Sequence, residues 1–123
     1  MGSYCGKRVW VFPDAEMPPA GSYELKGHES VIILNMSDED AAVNITLYFT
    51  DMDPIYDIKV NVGAKRVRCL RMDNPDDVGG FTIPRETQYA ISLSCSVPVV
   101  VQYGRLCTQK QPMAFYTNTG YCE

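Results

Sequence analysis

The densest run of chemically active side chains is Lys65-Arg66-Val67-Arg68-Cys69-Leu70-Arg71-Met72-Asp73. Four of the 11 basic residues fall between Lys65 and Arg71. A guanidinium offers a planar fork of N–H donors that suits carboxylates, phosphates and paired hydroxyls. Along a strand, Arg66 and Arg68 point one way, while Arg71 points the other way with Val67 and Cys69. An arginine on the inner, apolar side must be paired or meet a ligand, which singles out Arg71 with Asp73. For Lys65, Arg66 and Arg68 an edge strand that uses charge against aggregation is the plainer account.

A second polar group closes the most apolar stretch of the chain. Val99-Val100-Val101 runs into Gln102-Tyr103-Gly104-Arg105. Three consecutive valines predict a central strand covered on both faces. Polar side chains at the end of such a strand need partners or a ligand, and Gly104 among them suggests a bulge or a close backbone approach. The bland alternative is that Gln102 and Arg105 satisfy neighbouring loops.

Catalytic chemistry finds little footing. His28 is the only histidine, and no G-x-S-x-G elbow surrounds a serine. His28 with any cysteine has no supporting spacing, and a strand-start cap explains it better. No His or Cys pair stands at metal-ligand spacing. Asp38-Glu39-Asp40, Asp51 with Asp53, and Asp73 with Asp76-Asp77 lack the glycine and terminal glutamate of a calcium loop, so they read as solvated turns. Gly79-Gly80 lacks the lysine and helix of a phosphate loop. The expectation is no enzyme, no metal and no cofactor.

The elements that must position these groups are strands. Lys7–Phe12 is the first and ends at Pro13. A loop with Pro18, Pro19 and Gly21 follows, then a short extended piece at Tyr23–Leu25. His28–Asn35 is apolar on both sides at its centre. Ala41–Thr50 alternates, with Val43, Ile45, Leu47 and Phe49 on one face. Ile55–Val62 alternates again, and Gly63-Ala64 should join it in a hairpin to Lys65–Met72. A polar loop runs from Asp73 to Gly80. Gln88–Cys95 and Val97–Leu106 read as two strands with a short break. Gln109–Pro112 interrupts the chain, and Met113–Thr119 is a last, weaker strand. No helix longer than a turn or two, no repeat and no heptads are found. About eight short strands predict an all-β, antiparallel β-sandwich. Strands apolar on both sides in so small a chain point to surface buried between subunits.

The totals agree with one domain over residues 1–123, since 123 residues with 46% hydrophobic content support one core. The formal net charge of -4 disfavours a general nucleic-acid binder. The 5 cysteines are odd in number and include no C-x-x-C pair, which argues against a disulfide scaffold and for a reducing cytoplasm. No apolar window spans a bilayer. Lys7 and Arg8 precede only a short apolar run, so no signal peptide is expected. Met1-Gly2-Ser3 lacks a Ser or Thr at position 6, so no myristoylation is expected. In that compartment the sequon Asn44-Ile45-Thr46 carries no meaning.

An ordered set of short motifs resembles the sensory rhodopsin transducer family. It comprises Trp10, Pro18-Pro19, His28-Glu29-Ser30-Val31-Ile32-Ile33-Leu34-Asn35, and Asp40-Ala41 with Val43 and Ile45. It continues with Ala64-Lys65-Arg66, Arg71 with Asp73, Ile83-Pro84-x-x-Thr87, and Val97-Pro98-Val99-Val100-Val101-Gln102 with Arg105. The resemblance runs from about Lys7 to Leu106. It implies a compact β-sandwich, a homotetramer and a soluble cytoplasmic protein. It also implies either a relay from a membrane photoreceptor or a small-molecule-binding domain for sugars or sugar-like metabolites. Carried over by position, the recurring polar or aromatic residues are Trp10, Glu29, Asn35, Arg66, Arg71, Asp73, Gln102 and Arg105. Cys69 stands where the family often has histidine, which bears on specificity.

A sugar-like ligand fits these side chains chemically. Trp10 or Tyr103 would cover an apolar C–H face, and Asn35, Asp73, Gln102, Arg71 and Arg105 would bind paired hydroxyls. Core packing is the plain alternative for Trp10. Three functions follow: a non-enzymatic binding domain for a small, sugar-like metabolite in signalling or regulation; a signalling adaptor for a membrane receptor or other protein; and a DNA-associated regulator using Lys65–Arg71.

Overall fold

Gln88–Cys107 forms one unbroken strand of 20 residues, and the rest of the chain pairs along it. In this computed structural model residues 5–109 and 113–123 are described. The myristoylation test at residues 1–4 and the break at residues 110–112 lie outside them.

In chain order the strands are β1 (Lys7–Glu16), β2 (His28–Asn35), β3 (Ala41–Phe49), β4 (Ile55–Val62), β5 (Arg66–Arg71), β6 (Gln88–Cys107), β7 (Ala114–Asn118) and β8 (Tyr121–Cys122). The helical content among the described residues is one 3-10 turn at Pro75–Asp77. All pairings are antiparallel. The first part of β6 lies between β3 and β1, giving the order β4-β3-β6-β1-β8. Its second part pairs with β2 and β7, and β2 also pairs with β5. The expected all-β antiparallel architecture of eight strands is therefore what the chain adopts, as one sheet with two arms on a shared strand.

β6 has one inner side throughout. Tyr89, Ile91, Leu93, Cys95, Val97, Val99, Val101 and Tyr103 are all buried. Even-numbered neighbours point outward, as the two-residue period of a strand requires. The core cluster combines Phe12, Ile45, Leu47 and Ile58 from one arm with Val31, Ile33 and Leu70 from the other.

Several local expectations are corrected. The break near Ser96 is absent, because the alternation continues through Pro98. Val100 is 38% exposed, so the outer side of this valine run is not covered by the chain itself. β1 continues through Pro13 to Glu16 across a register shift between Phe12 and Ala15. A bulge tolerates the missing N–H donor. Tyr23–Leu25 forms bends rather than a strand. The weak last strand forms as β7, and β8 follows it after Thr119 and Gly120 as an element that was not expected.

The expected β4–β5 hairpin does not form. β4 pairs with β3, and β5 crosses to the other arm to pair with β2. The crossing turn is held by backbone: the Lys65 N–H donates to the Ser37 carbonyl at 3.1 Å, and the Ala64 N–H to Asp40 Oδ1 at 2.9 Å. Lys65 takes a positive φ of 54° there. A direct hairpin would have left β2 without its edge partner.

β5 also turns the opposite face inward from the one its composition suggests. Leu70 is fully buried, whereas Val67 is 64% exposed and Cys69 is exposed. Arg66 and Arg68 share the parity of Leu70 but lie beyond the core. Arg68 Nη1 donates to the Asn61 carbonyl at 2.9 Å, bridging to β4. β5 is an edge strand with one neighbour, as the charge-guarded reading of Lys65, Arg66 and Arg68 anticipates.

These faces give a direct stability contrast. Leu93→Ala on the inner side of β6 should cost about 2–5 kcal/mol. Val67→Ala should cost clearly less, because Val67 lies outside the core of the folded chain. Urea unfolding of both variants measures the two values; equal losses would put Val67 in the core after all.

Candidate functional site: polar clusters at one end of the sheet

Two polar clusters sit on opposite faces of the β5–β2–β6 ladder, at the end where β2 begins and β5 and β6 finish. Register explains the arrangement. Glu29 is opposite Arg105, while the next residue, Ser30, is opposite both Arg71 and Gly104. Consecutive residues face opposite ways, so Glu29 and Arg105 go inward and Arg71 goes outward.

The inner cluster centres on the Glu29 carboxylate, which has no exposed surface. Tyr89 Oη donates to Glu29 Oε1 at 2.6 Å. Glu29 Oε2 accepts from Tyr103 Oη and, at 3.0 Å, from the Glu16 N–H. Arg105 Nε lies 3.9 Å from Oε2 and donates to Tyr103 Oη at 3.3 Å. The Arg105 guanidinium carbon also stands 5.2 Å from the centre of the Tyr116 ring, a cation–π contact.

Burial pushes the Glu29 carboxyl above its ordinary value, and the Tyr103, Tyr89, Glu16 and Arg105 contacts only partly oppose it. Burial and the neighbouring carboxylate also drive Tyr89 and Tyr103 upward, so both phenols stay protonated donors. With three donors on two oxygens, Glu29 works as a tie between β1, β2 and both parts of β6.

The outer cluster is the Arg71–Asp73 pair. Arg71 Nε donates to Asp73 Oδ1 and Arg71 Nη2 to Asp73 Oδ2, each at 2.8 Å. Such a two-pronged pair is the strong form of an ion pair. Arg85 Nη2 approaches Asp73 Oδ2 at 3.7 Å. Its Nη1 donates to the Pro18 carbonyl at 3.1 Å and to the Gly27 carbonyl. Partial burial raises the Asp73 value, but the Arg71 hydrogen bonds and charge, with His28, outweigh it and hold it below the ordinary carboxylate value. The Arg71 N–H donates to Asp77 Oδ2 at 2.9 Å, and the Met72 N–H donates to the Glu29 carbonyl at 2.9 Å. The outer cluster thereby fastens two loops to the sheet.

The remaining motif residues lie elsewhere. Trp10 is 6% exposed, stacks on Phe12 and donates from Nε1 to the Lys7 and Val99 carbonyls at 3.1 and 3.2 Å. It is packed in the core. Asn35 is buried and satisfied by the turn: Nδ2 donates to the Glu39, Val62 and Gly63 carbonyls, and Oδ1 accepts from the Ser37 N–H and Oγ. Arg66 Nη1 donates to the Ala64 and Lys65 carbonyls. Gln102 is exposed on the outer side, opposite Ile32. The structure thus unites Glu29 with Arg105 and Arg71 with Asp73, and separates the other four.

Two hollows lie on the other arm. One of about 460 Å³ is lined by Ala42, Val43, Asn44, Lys59, Val60 and Asn61. One of about 190 Å³ is lined by residues that include Tyr48, Thr50, Gln88 and Tyr89. Neither contains any of the eight motif residues. Sequence reasoning missed Arg85, Tyr89 and the residues of the larger hollow. Tyr89 and Tyr103 had a usable signal, since inward phenols need an acceptor and Glu29 has the buried parity of β2.

The protonation shifts make a pH prediction. The folded Glu29 carboxyl binds its proton more tightly than the unfolded one, whose ordinary value is near 4.5. Between those two values the native state holds more protons, so stability falls as pH rises. Asp73 acts in the opposite sense, because its contribution is lost as pH falls through a value below 3.8. Glu29→Gln should flatten the decline above 4.5 and leave the acid-side loss intact. Denaturant unfolding across the acid-to-neutral range tests this, and an unchanged slope in the variant rejects it.

A family model described as Anabaena sensory rhodopsin transducer matches residues 5–122. Among solved structures, the chain is similar to Thermotoga maritima protein 1070, with 35% identity, 96% of each chain covered and a TM-score of 0.85. It is also similar to Anabaena sensory rhodopsin transducer, with 36% identity, 80% of this chain and 94% of that chain covered, and a TM-score of 0.70. None of the curated proteins matches it.

Proposed function

The chain belongs to the sensory rhodopsin transducer family, and from that premise we propose that it is a non-enzymatic signalling domain that works by contact. In this reading it assembles in the cytoplasm as a homo-oligomer, a tetramer as the resemblance implies. The assembly relays a signal by binding a membrane receptor or another signalling protein.

The observation that carries the reading is the outer face of β5–β2–β6. Val67, Leu34 and Val100 form one row across three strands, because Leu34 is opposite both of the others. They are 64%, 37% and 38% exposed. Ile32 lies in the next row, between Cys69 and Gln102. Contiguous exposed apolar surface of this kind marks an interface. An apolar sheet face can pack on its own copy across a two-fold axis, so a second copy is the simplest occupant.

The basic run is partly engaged within the protein. Lys65 Nζ pairs with Asp38 at 2.9 Å, Arg71 is committed to Asp73, and Arg66 and Arg68 reach backbone carbonyls. A nucleic-acid role is disfavoured by the net charge of -4 rather than by these contacts.

Val67→Asp and Val100→Asp should each convert the oligomer to monomer without unfolding it, as read by light scattering and circular dichroism. An oligomer that persists in both variants, or a wild type that is monomeric, removes this face from the proposal.

A second reading, a binding domain for a small, sugar-like metabolite, is favoured by the hollow of about 460 Å³ with its amide and ammonium lining. It requires that some compound of a sugar and metabolite panel raise the melting temperature in proportion to its occupancy. A panel in which nothing does so discards it.

A further inference from the structure

The two arms present opposite chemistry to solvent. Outward from β6, Val100 and Gln102 belong to the apolar face, whereas Ser92, Ser94 and Ser96 belong to the other arm. Beside these serines lies the larger hollow. Asn44 stands between Lys59 on β4 and Ser94 on β6, and Ala42 is opposite Asn61. Ser96 Oγ accepts from the Ala42 N–H at 2.8 Å. The short Ala42 side chain between longer polar neighbours leaves the depression, with Val43 and Val60 behind it.

A backbone irregularity adjoins the hollow. Ile45 is opposite Ile58 and Leu47 is opposite Ile55, so Tyr56 and Asp57 share the place opposite Thr46. This is a bulge. Within it Asp57 takes a positive φ of 61°, a conformation that costs any residue but glycine. The unusual backbone turns the Asp57 carboxylate onto Asn44, whose Nδ2 donates to Asp57 Oδ1 at 3.1 Å. That bond orients the Asn44 amide and leaves its Oδ1 as an acceptor. Asp57 keeps a second carboxylate oxygen. Lys59 forms no ion pair or side-chain hydrogen bond among the described residues. The set therefore combines an ammonium, two amides and a carboxylate within two adjacent strands.

We infer that this hollow, braced by the Asp57 bulge, is a binding site for a small molecule with adjacent hydroxyl groups. A hydroxyl both donates and accepts, and this mixture of groups satisfies both capacities. Asp57 and Asn44 Oδ1 accept from the hydroxyls, while Lys59 and Asn61 donate to their oxygens. The carboxylate disfavours a plain anion, and the largely apolar floor beneath the amides and the ammonium suits a molecule that presents C–H surface as well as hydroxyls. Bulges and strained backbone recur where a side chain must be re-aimed for function. The inference rests on the metabolite reading, supplies its site, and is independent of the apolar face on the other arm.

Asp57→Gly is the discriminating variant. Glycine adopts the positive φ without strain, so a purely structural Asp57 predicts little change beyond stability. Isothermal titration with glucose, galactose, myo-inositol and gluconate, each at millimolar concentration, should give binding of at least one to the wild type. Asp57→Gly and Asn61→Ala should each weaken that binding by about tenfold or more, with folding preserved in amide NMR spectra. Shifts in those spectra should cluster at 42–44 and 59–61. Undiminished binding by both variants overturns the site and leaves the metabolite reading standing. A wild type that binds none of the four overturns the site and the metabolite reading together.

Discussion

One strand carries both arms, and its two-residue period is the constraint on which the rest hangs. The odd positions of β6 from Tyr89 to Tyr103 face the core without interruption. A single-residue slip would turn valines, leucine and tyrosines outward and serines inward, so the register is strongly set. Because β3 and β1 flank its first part and β2 its second, the alternation of one strand determines which side of each arm is buried. Pro98 does not interrupt it. The strand changes neighbours near that point, passing from pairs such as Val43 with Cys95 to pairs such as Leu34 with Val100.

The Glu29 carboxylate is the polar counterpart of this apolar seam. Tyr89 and Tyr103 come from the two parts of β6, and both donate to the same side chain of β2. A buried charge is costly unless hydrogen-bonded and paired. Here three donors and a nearby guanidinium offset much of that cost, though burial still raises the carboxyl value. The cluster favours one relative placement of the strands because alternatives would strand the charge. The clustered motif residues at this end thus act on the shape of the sheet.

Much of the architecture was legible. His28–Asn35, an apolar run, and Ile55–Val62, an alternating one, have the bounds expected from sequence, and Ala41–Phe49 differs by one residue. The β5 side chains were harder to assign. Val67 and Cys69 resemble an inner face by composition, yet the strand lies at an edge and only Leu70 reaches the core. The pairing of β5 with β2 instead of β4 depends on a turn whose backbone bonds to Ser37 and Asp40, far back in the chain. Local turn residues carry no record of that contact. Arg71 with Asp73 was readable because the two are close in sequence. Arg85 joins them through a loop, and nothing in its neighbourhood announced it.

Residue order by itself determined the all-β class, most strand bounds, the buried parity of the first half of β6 and the family resemblance. These follow from steric period and from apolar surface avoiding water, both local properties. Tertiary structure decided which strands pair, which face of β5 is buried, and that Glu29 receives two distant phenols. It also decided that the eight motif residues divide among core, turn, edge, the outer side of β6 and two back-to-back clusters. Those outcomes depend on contacts between residues tens of positions apart, whose geometry exists only when the two arms share one core.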